Sequence, residues 1–111
     1  MRSDRERLLD ILDAIGKIEK YSQRGKDVFD EDELLQAWMV QNIQIIGEAA
    51  ARISDQLKSA HPEIPWPQIV AMRNILIHAY FETDPEEVWN VIERDVPALK
   101  TGIGSFIDDI S

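Results

Sequence analysis

Apolar residues recur every three or four positions in four segments of the chain, which is the spacing of an α-helix that buries one face. The segments cover about residues 3–22, 30–60, 67–78 and 85–110. No run alternates apolar and polar residues in the way that a half-buried strand does. The pattern therefore predicts an all-α, up-and-down bundle of four or five helices.

Local signals mark where these helices begin and end. Ser3 and Glu6 have the spacing of a capping box at the start of the first helix, and residues 23–27 predict a break after it. Three prolines within residues 61–67 exclude a helix there, since proline lacks the backbone N–H that a helix interior needs. Pro97 lies inside the fourth segment, so we expect it to kink or divide that helix.

Gly47 lies within the apolar pattern of the second segment. A glycine inside a helix costs about 1 kcal/mol relative to alanine, because its backbone loses more freedom on folding. The close approach of a second helix is the ordinary reason for such a residue. We therefore expect another helix to pack tightly against the second segment at Gly47.

The length of 111 residues suits a single domain, residues 1–111, rather than two. The chain has 21 acidic and 12 basic residues and a formal net charge of −9. A surface of this charge repels the phosphates of a long duplex, so we do not expect double-stranded DNA as a partner. A local site for an anion is still compatible with it.

The sequence contains no cysteine, which excludes disulfides, thiolate metal sites and cysteine nucleophiles. Its apolar runs are too short to cross a membrane. Residues 1–7 are charged and no apolar core follows them, so we expect no signal peptide. These features, with a thiol-free composition that suits a reducing compartment, predict a cytoplasmic protein.

Residues 64–81 contain no aspartate or glutamate, although acids are frequent elsewhere. Arg73, Asn74 and His78 lie in this stretch, where a polyanion would meet little local repulsion. On an ideal helix Arg73 and His78 point about 140° apart, so they do not share a face. Asn74 and His78 do share one, and Tyr80, seven residues beyond Arg73, aligns with the arginine.

Arg73 and His78 can reach the same atom in three ways. The arginine side chain bends around the helix, the helix ends near His78, or a second copy of the helix faces the first across a two-fold axis. The last arrangement gives a shared cleft with two arginines and two histidines.

These residue types suit the cleavage of a phosphodiester. Histidine titrates near neutral pH, so it can take a proton from a ribose 2′-hydroxyl or give one to the leaving oxygen. Arginine stays charged, and its planar group matches phosphate oxygens and stabilises the negative charge of the transition state. Asn74 would orient the imidazole or hold a phosphate oxygen. This chemistry requires no metal and no cofactor.

Spacing and charge alone, however, favour a structural role for these side chains. A lone histidine on a mostly apolar helix is usually a buried or helix-end group whose hydrogen bonds are satisfied. An arginine in a helical bundle usually lies at the surface or forms an ion pair. On that basis His78 and Arg73 would stabilise the bundle without taking part in any reaction.

The motif as a whole resembles a known signature. Arg73, His78 and Tyr80 form the pattern R-x4-H-x-Y, which is similar to that of the HepT-like toxins of the HEPN (higher eukaryotes and prokaryotes nucleotide-binding) superfamily. The flanking sequences also look like that family: IGEAA at residues 46–50, IPW at 64–66, MRN at 72–74, VW at 88–89 and DVP at 95–97. The resemblance covers about residues 5–105.

The resemblance implies a HEPN bundle that forms a homodimer, with the active cleft at the dimer interface. It implies a metal-independent endoribonuclease that cleaves mRNA or tRNA by 2′-hydroxyl attack and acts as the toxin of a toxin–antitoxin system. Arg73 and His78 would be catalytic and Asn74 would support them. Tyr80 would be AMPylated by an MntA-like minimal nucleotidyltransferase, the cognate antitoxin.

Two other functions stay open at this point. The chain is a non-catalytic helical binding partner of a minimal nucleotidyltransferase or of a nucleotide, or it is a structural oligomer without chemistry. The complete motif with its flanks makes the structural oligomer the weakest of the three.

Overall fold

Most of the chain is helical, as the apolar spacing predicts. The computed structural model describes residues 2–81 and 84–110, with the side chains of residues 2–74 and 84–110. Within these ranges the α-helices are α1 (Asp4–Ser22), α2 (Lys26–Glu31), α3 (Glu33–Ala51), α4 (Asp55–Ala60), α5 (Trp66–Phe81), α6 (Pro85–Asn90) and α7 (Val96–Gly104). A π-helical turn, Val91–Asp95, joins α6 to α7, and a 3-10 turn, Ile107–Asp109, follows α7. The described residues form no strand, which confirms the all-α prediction.

The central helix of the bundle is α3, which packs against α1 and against α5. α7 in turn packs against α1. Most of the core comes from the apolar stripes of these four helices, and each stripe has the predicted three- and four-residue spacing. α2, α6 and the π-helical turn add Phe29, Val88, Trp89 and Ile92 to it. Its buried side chains include Leu8, Ile11, Ile15 and Ile18 of α1, Leu35, Met39, Ile43 and Ile46 of α3, Trp66, Ile69 and Met72 of α5, and Val96, Leu99 and Ile103 of α7.

The capping box predicted at the start of α1 is present. The Ser3 hydroxyl accepts a hydrogen bond from the Glu6 backbone N–H at 3.1 Å, and the Glu6 carboxylate accepts one from the Ser3 N–H at 3.3 Å. The two bonds satisfy backbone donors that the first turn of a helix leaves without a partner. After α1, Gly25 makes the turn into α2 with a φ of 92°, a conformation that glycine adopts without strain.

The second segment is divided, so the prediction of one helix over residues 30–60 is wrong. Asp32 takes an extended conformation with φ −116° and ψ 99°. From there its carboxylate accepts a hydrogen bond from the Leu35 N–H at 3.0 Å and begins α3. Ser54 begins α4 in the same way, accepting from the Leu57 N–H at 3.1 Å. Short polar side chains compete with helix continuation through such bonds, and hydrophobic spacing does not reveal them.

α5 is longer than predicted. It begins at Trp66, one residue before Pro67, and continues to Phe81, three residues beyond His78. The proline-rich loop before it is not helical, as predicted. The Trp66 indole N–H donates to the His61 carbonyl at 3.0 Å, which connects this loop to the start of the helix.

Pro97 divides the fourth segment, as predicted. Just before it, the Val96 N–H donates to the carbonyl of Val91, five residues back instead of four. In a regular α-helix the proline ring would clash with the carbonyl four residues earlier, and the π-helical turn changes the register at that point. Pro97 then lies in the first turn of α7, where a missing N–H leaves no helical bond unmade.

Charged side chains cover the outside of the bundle. Lys26 of α2 bonds to Asp30 at 2.7 Å and also to Glu86 of α6. The hydrogen bond to Asp30, followed by that to Glu86, raises the pKa of Lys26 above its ordinary value. Lys100 of α7 pairs with Glu19 of α1 at 2.9 Å. In the described ranges, no helix is both long enough and apolar enough to cross a membrane.

Asp4 connects the start of α1 to the start of α4. Its carboxylate accepts hydrogen bonds from the backbone N–H of Ser54 at 2.9 Å and from the Ser54 hydroxyl at 2.5 Å. We expect Asp4→Ala to lower the free energy of unfolding by about 1–3 kcal/mol, because a partly buried N–H loses its acceptor. Urea denaturation measures the loss. Asp13→Ala is the control, since it removes only an exposed pair with Lys17 and should cost about 0.5 kcal/mol or less. Equal losses in the two variants would contradict this role of Asp4.

Candidate active site

The helix that carries the motif is held by its buried face. Trp66, Ile69 and Met72 lie three residues apart on α5 and are all buried. Arg73 follows Met72 and lies at the edge of that face, where α5 meets α3. The apolar spacing of α5 therefore fixes the side of the helix on which the arginine lies.

Gly47 of α3 lies directly against Arg73, which confirms the close approach predicted at this glycine. A Cβ atom placed on Gly47 would stand 2.8 Å from the backbone nitrogen of Arg73 and 3.0 Å from its Cβ. Nonbonded carbon atoms in contact ordinarily lie about 3.5–4.0 Å apart. A side chain at position 47 therefore does not fit without a movement of α5.

Arg73 and Asn74 both expose their side chains to solvent. Beyond them the helical backbone continues through His78 and Tyr80 to Phe81, and the side chains of these three residues lie outside the described part of the chain. The backbone is helical from Arg73 through His78, so the two positions keep the separation of about 140° that an ideal helix gives them. A bent arginine or a second copy of the helix would bring their side chains together.

The surface beside Arg73 has few acidic groups. α5 lacks Asp and Glu throughout, and residues 34–47 of α3 lack them as well. Since α3 and α5 pack side by side, the outward sides of residues 34–47 and 66–74 form one surface, here called the acid-free face. In a chain with a net charge of −9, a phosphate group meets little local repulsion there. The sequence shows residues 34–47 as a second stretch without acids. Only the packing of α3 beside α5 shows that this stretch and α5 belong to the same surface.

A groove of about 430 Å³ between α1 and α3 lies away from the motif. It is on the α1 side of α3, whereas Arg73 is on the α5 side. Its charges balance, so it is a weak candidate for binding an anion. The charged residues that line it are Arg2, Arg7, Arg52, Asp10, Asp13 and Glu48.

His61, the other histidine, takes part in packing. Its ring stacks on Phe106, with the ring centroids 3.7 Å apart and the planes 14° from parallel. Its Nδ1 lies 3.2 Å from a carboxylate oxygen of Glu63. Among the described side chains, no three from histidine, aspartate or glutamate stand close enough together to hold a metal ion. His61 therefore stabilises the loop before α5 and lies outside the candidate site.

Comparison with known proteins establishes the family. The HepT-like family model, described as ribonuclease HepT-like, matches residues 11–105. The chain belongs to the HepT-like ribonuclease family. Its all-α bundle is accordingly the HEPN fold that the sequence resemblance implies.

HepT-like relatives match most of the chain. A protein of Thermococcus cleftensis named "Probable ribonuclease HepT" is 38% identical over 102 residues, which cover 89% of this chain and 91% of that protein. MJ1380 of Methanocaldococcus jannaschii, named as a candidate RNase, is 32% identical, and the match covers 84% of this chain and 86% of that protein. A longer protein of M. jannaschii, MJ0434, is named as a gamma-glutamylcyclotransferase and candidate RNase. It is 34% identical over 90% of this chain and 46% of its own length. No solved structure matches the chain significantly.

Proposed function

We propose that this HepT-like protein is a metal-independent endoribonuclease and the toxin of a toxin–antitoxin pair that acts in the cytoplasm. Arg73 and His78 are its catalytic residues. The proposal rests on the exposed Arg73 side chain, which lies on the acid-free face of a helix whose backbone continues through His78. RNA is the substrate, in keeping with the ribonuclease family to which the chain belongs.

The proposed reaction needs a proton acceptor, a proton donor and a group that neutralises charge. His78 takes the proton of a ribose 2′-hydroxyl, and the 2′-oxygen attacks the adjacent phosphorus. The bond from phosphorus to the 5′-oxygen breaks, and a histidine returns a proton to that oxygen. The products are a 2′,3′-cyclic phosphate and a 5′-hydroxyl. Arg73 stabilises the negative charge that gathers on the phosphoryl oxygens, and Asn74 supports one of the two groups.

The active unit in this proposal is a homodimer that meets along α5 and the neighbouring outward side of α3. Arg73 and His78 of one helix point about 140° apart, so a two-fold axis supplies the missing partner from the second copy. Two chains of net charge −9 repel each other, and the acid-free face is where that repulsion is least. The exposed residues of α5 on this face include Gln68 and Ala71, which bring no charge to the interface.

A charge placed on the acid-free face tests the dimer. Ala71 is exposed on α5, and Ala71→Glu should raise the dimer dissociation constant about tenfold or more, because like charges across an interface repel. Sedimentation equilibrium measures it, and RNA cleavage should fall with the dimer fraction. Ala98→Glu is the matched control, since Ala98 is also an exposed alanine but lies on α7. If the two variants dimerise equally well, the dimer does not use this face.

A second candidate function is a non-catalytic helical partner of a minimal nucleotidyltransferase. The net charge of −9 favours a protein partner over naked RNA. This function predicts a tight complex with the nucleotidyltransferase and no growth arrest when the chain is expressed alone. The ribonuclease proposal predicts growth arrest that depends on His78.

Substitution of the two proposed catalytic residues separates these functions. We expect His78→Ala to slow RNA cleavage by about 10²–10⁴-fold, as loss of a general acid–base does. Arg73→Ala should slow it by about 10²–10³-fold, as loss of a group that stabilises transition-state charge does. Cleavage is followed on a single-stranded RNA with EDTA present, and growth after induction is followed in parallel. Unchanged cleavage in both variants would point to a contaminating nuclease.

In this proposal the antitoxin acts on Tyr80. An MntA-like nucleotidyltransferase transfers AMP from ATP to its hydroxyl: the tyrosine oxygen bonds to the α-phosphorus, and pyrophosphate leaves. Tyr80 is seven residues after Arg73, so the two positions lie on the same side of α5. The added phosphate would compete for the arginine and repel RNA.

Tyr80→Phe removes the proposed acceptor and leaves the ring. We expect the variant to cleave RNA like the original protein, yet to escape neutralisation by the nucleotidyltransferase with ATP. Mass spectrometry should show one added AMP on the original protein and none on the variant. Neutralisation of Tyr80→Phe to the same extent would contradict this role.

A further inference from the structure

We propose that Gly47 is a positioning residue for Arg73. Because glycine has no side chain, the backbone of Arg73 lies close against α3, and this close contact sets the position of the guanidinium group. This inference rests on the proposed function, because it takes Arg73 as catalytic. Gly47 itself touches no substrate in this proposal. It acts through the backbone of the helix that faces it.

Among the described atoms, the three nearest to a Cβ at position 47 all belong to Arg73. They are its backbone nitrogen at 2.8 Å, its Cβ at 3.0 Å and its Cα at 3.3 Å. Two of them are backbone atoms of a helix and the third is the first atom of the side chain, so rotation about a side-chain bond cannot move any of them away. A methyl group at position 47 must therefore displace the arginine at its root.

The displacement would be local, because the surrounding core holds both helices. Ile43 and Ile46 of α3 and Ile69 and Met72 of α5 are buried close to the contact. Moving the whole of α5 outward would separate these side chains, whereas a shift at Arg73 alone relieves the overlap. Restoring ordinary carbon contacts requires a movement of about 0.5–1 Å. A misplacement of about 1 Å in a catalytic group can reduce the rate about 10²-fold.

Other helical glycines of the chain provide controls. Among the atoms that the structure describes, a Cβ at Gly16 of α1 or at Gly104 of α7 would meet none within 4 Å. A Cβ at Gly102 would stand 3.2 Å from Ile64 Cγ1, an atom of a side chain that is able to adjust. Gly102 is therefore a crowded position whose described neighbour, Ile64, lies in the loop before α5.

The experiment compares Gly47→Ala with Gly16→Ala and Gly102→Ala on a mixed-sequence, single-stranded RNA labelled with a fluorophore. Single-turnover kinetics give the cleavage rate, and circular dichroism gives the folded fraction. We expect Gly47→Ala to lower the maximal rate by about 10–10²-fold and to leave the RNA concentration for half-maximal rate within about twofold. The two control variants should cleave like the original protein. A Gly47→Ala protein with unaltered cleavage would falsify the proposal.

A double variant tests whether the effect passes through Arg73. If it does, Gly47→Ala added to Arg73→Ala causes no further loss of rate, because the group that it displaces is already absent. Multiplication of the two separate losses would overturn the proposal. If Gly47→Ala does not fold, it is combined with Gly16→Ala and Gly104→Ala, two substitutions that add helix-favouring residues in open space. Failure to fold in that background would also overturn it, since Gly47 would then support the bundle as a whole.

Amide chemical shifts provide an arm that does not depend on activity. On Gly47→Ala, the Arg73 amide of ¹⁵N-labelled protein should shift more than those of Ile69 and Met72. If the original protein does not cleave RNA while this shift occurs, the proposed function fails and the contact stands. If cleavage occurs without a shift at Arg73, the function stands and the positioning role fails.

Discussion

The contact between α3 and α5 at Gly47 governs the candidate site. Packed helices usually keep side chains between their backbones, with axes about 8–10 Å apart. Here the backbone of Arg73 occupies the place that a side chain at position 47 would need. The approach is held by buried apolar residues beside it, Ile46 on α3 and Ile69 and Met72 on α5. The hydrophobic core thus fixes the root of Arg73, and the charged end of the same side chain extends into solvent.

The distribution of charge makes the surface around Arg73 suitable for an anion. A protein with 21 acidic and 12 basic residues is a poor binder of a polyanion over most of its surface. The acid-free face departs from that rule because two stretches without acids, residues 34–47 and 66–74, lie side by side. The absence of repulsion there serves a phosphate and a second copy of the chain equally well. The proposed dimer and the proposed RNA cleft therefore depend on one property of one surface.

The helix boundaries show which structural features can be predicted from residues close together in the chain and which cannot. The capping box at Ser3 and the division at Pro97 were predictable, since each depends on the backbone chemistry of residues close together in the chain. The start of α4 at Ser54 was not. Its backbone N–H and hydroxyl bond to Asp4, 50 positions earlier, so the interruption is supported by a contact that becomes available only when α1 and α4 meet.

Hydrophobic periodicity is a local property of the sequence. It predicts the all-α class and the helix that carries Arg73, Asn74, His78 and Tyr80. It also predicts that another helix packs closely against Gly47. It did not identify which helix approaches or which residue stands at the contact. Those facts follow from the pairing of apolar faces that are far apart in the chain, and no single helix contains that information. The packing of α3 against α5 therefore places Gly47 beside Arg73. It also brings two stretches without acids, which are separate in the sequence, together in one surface.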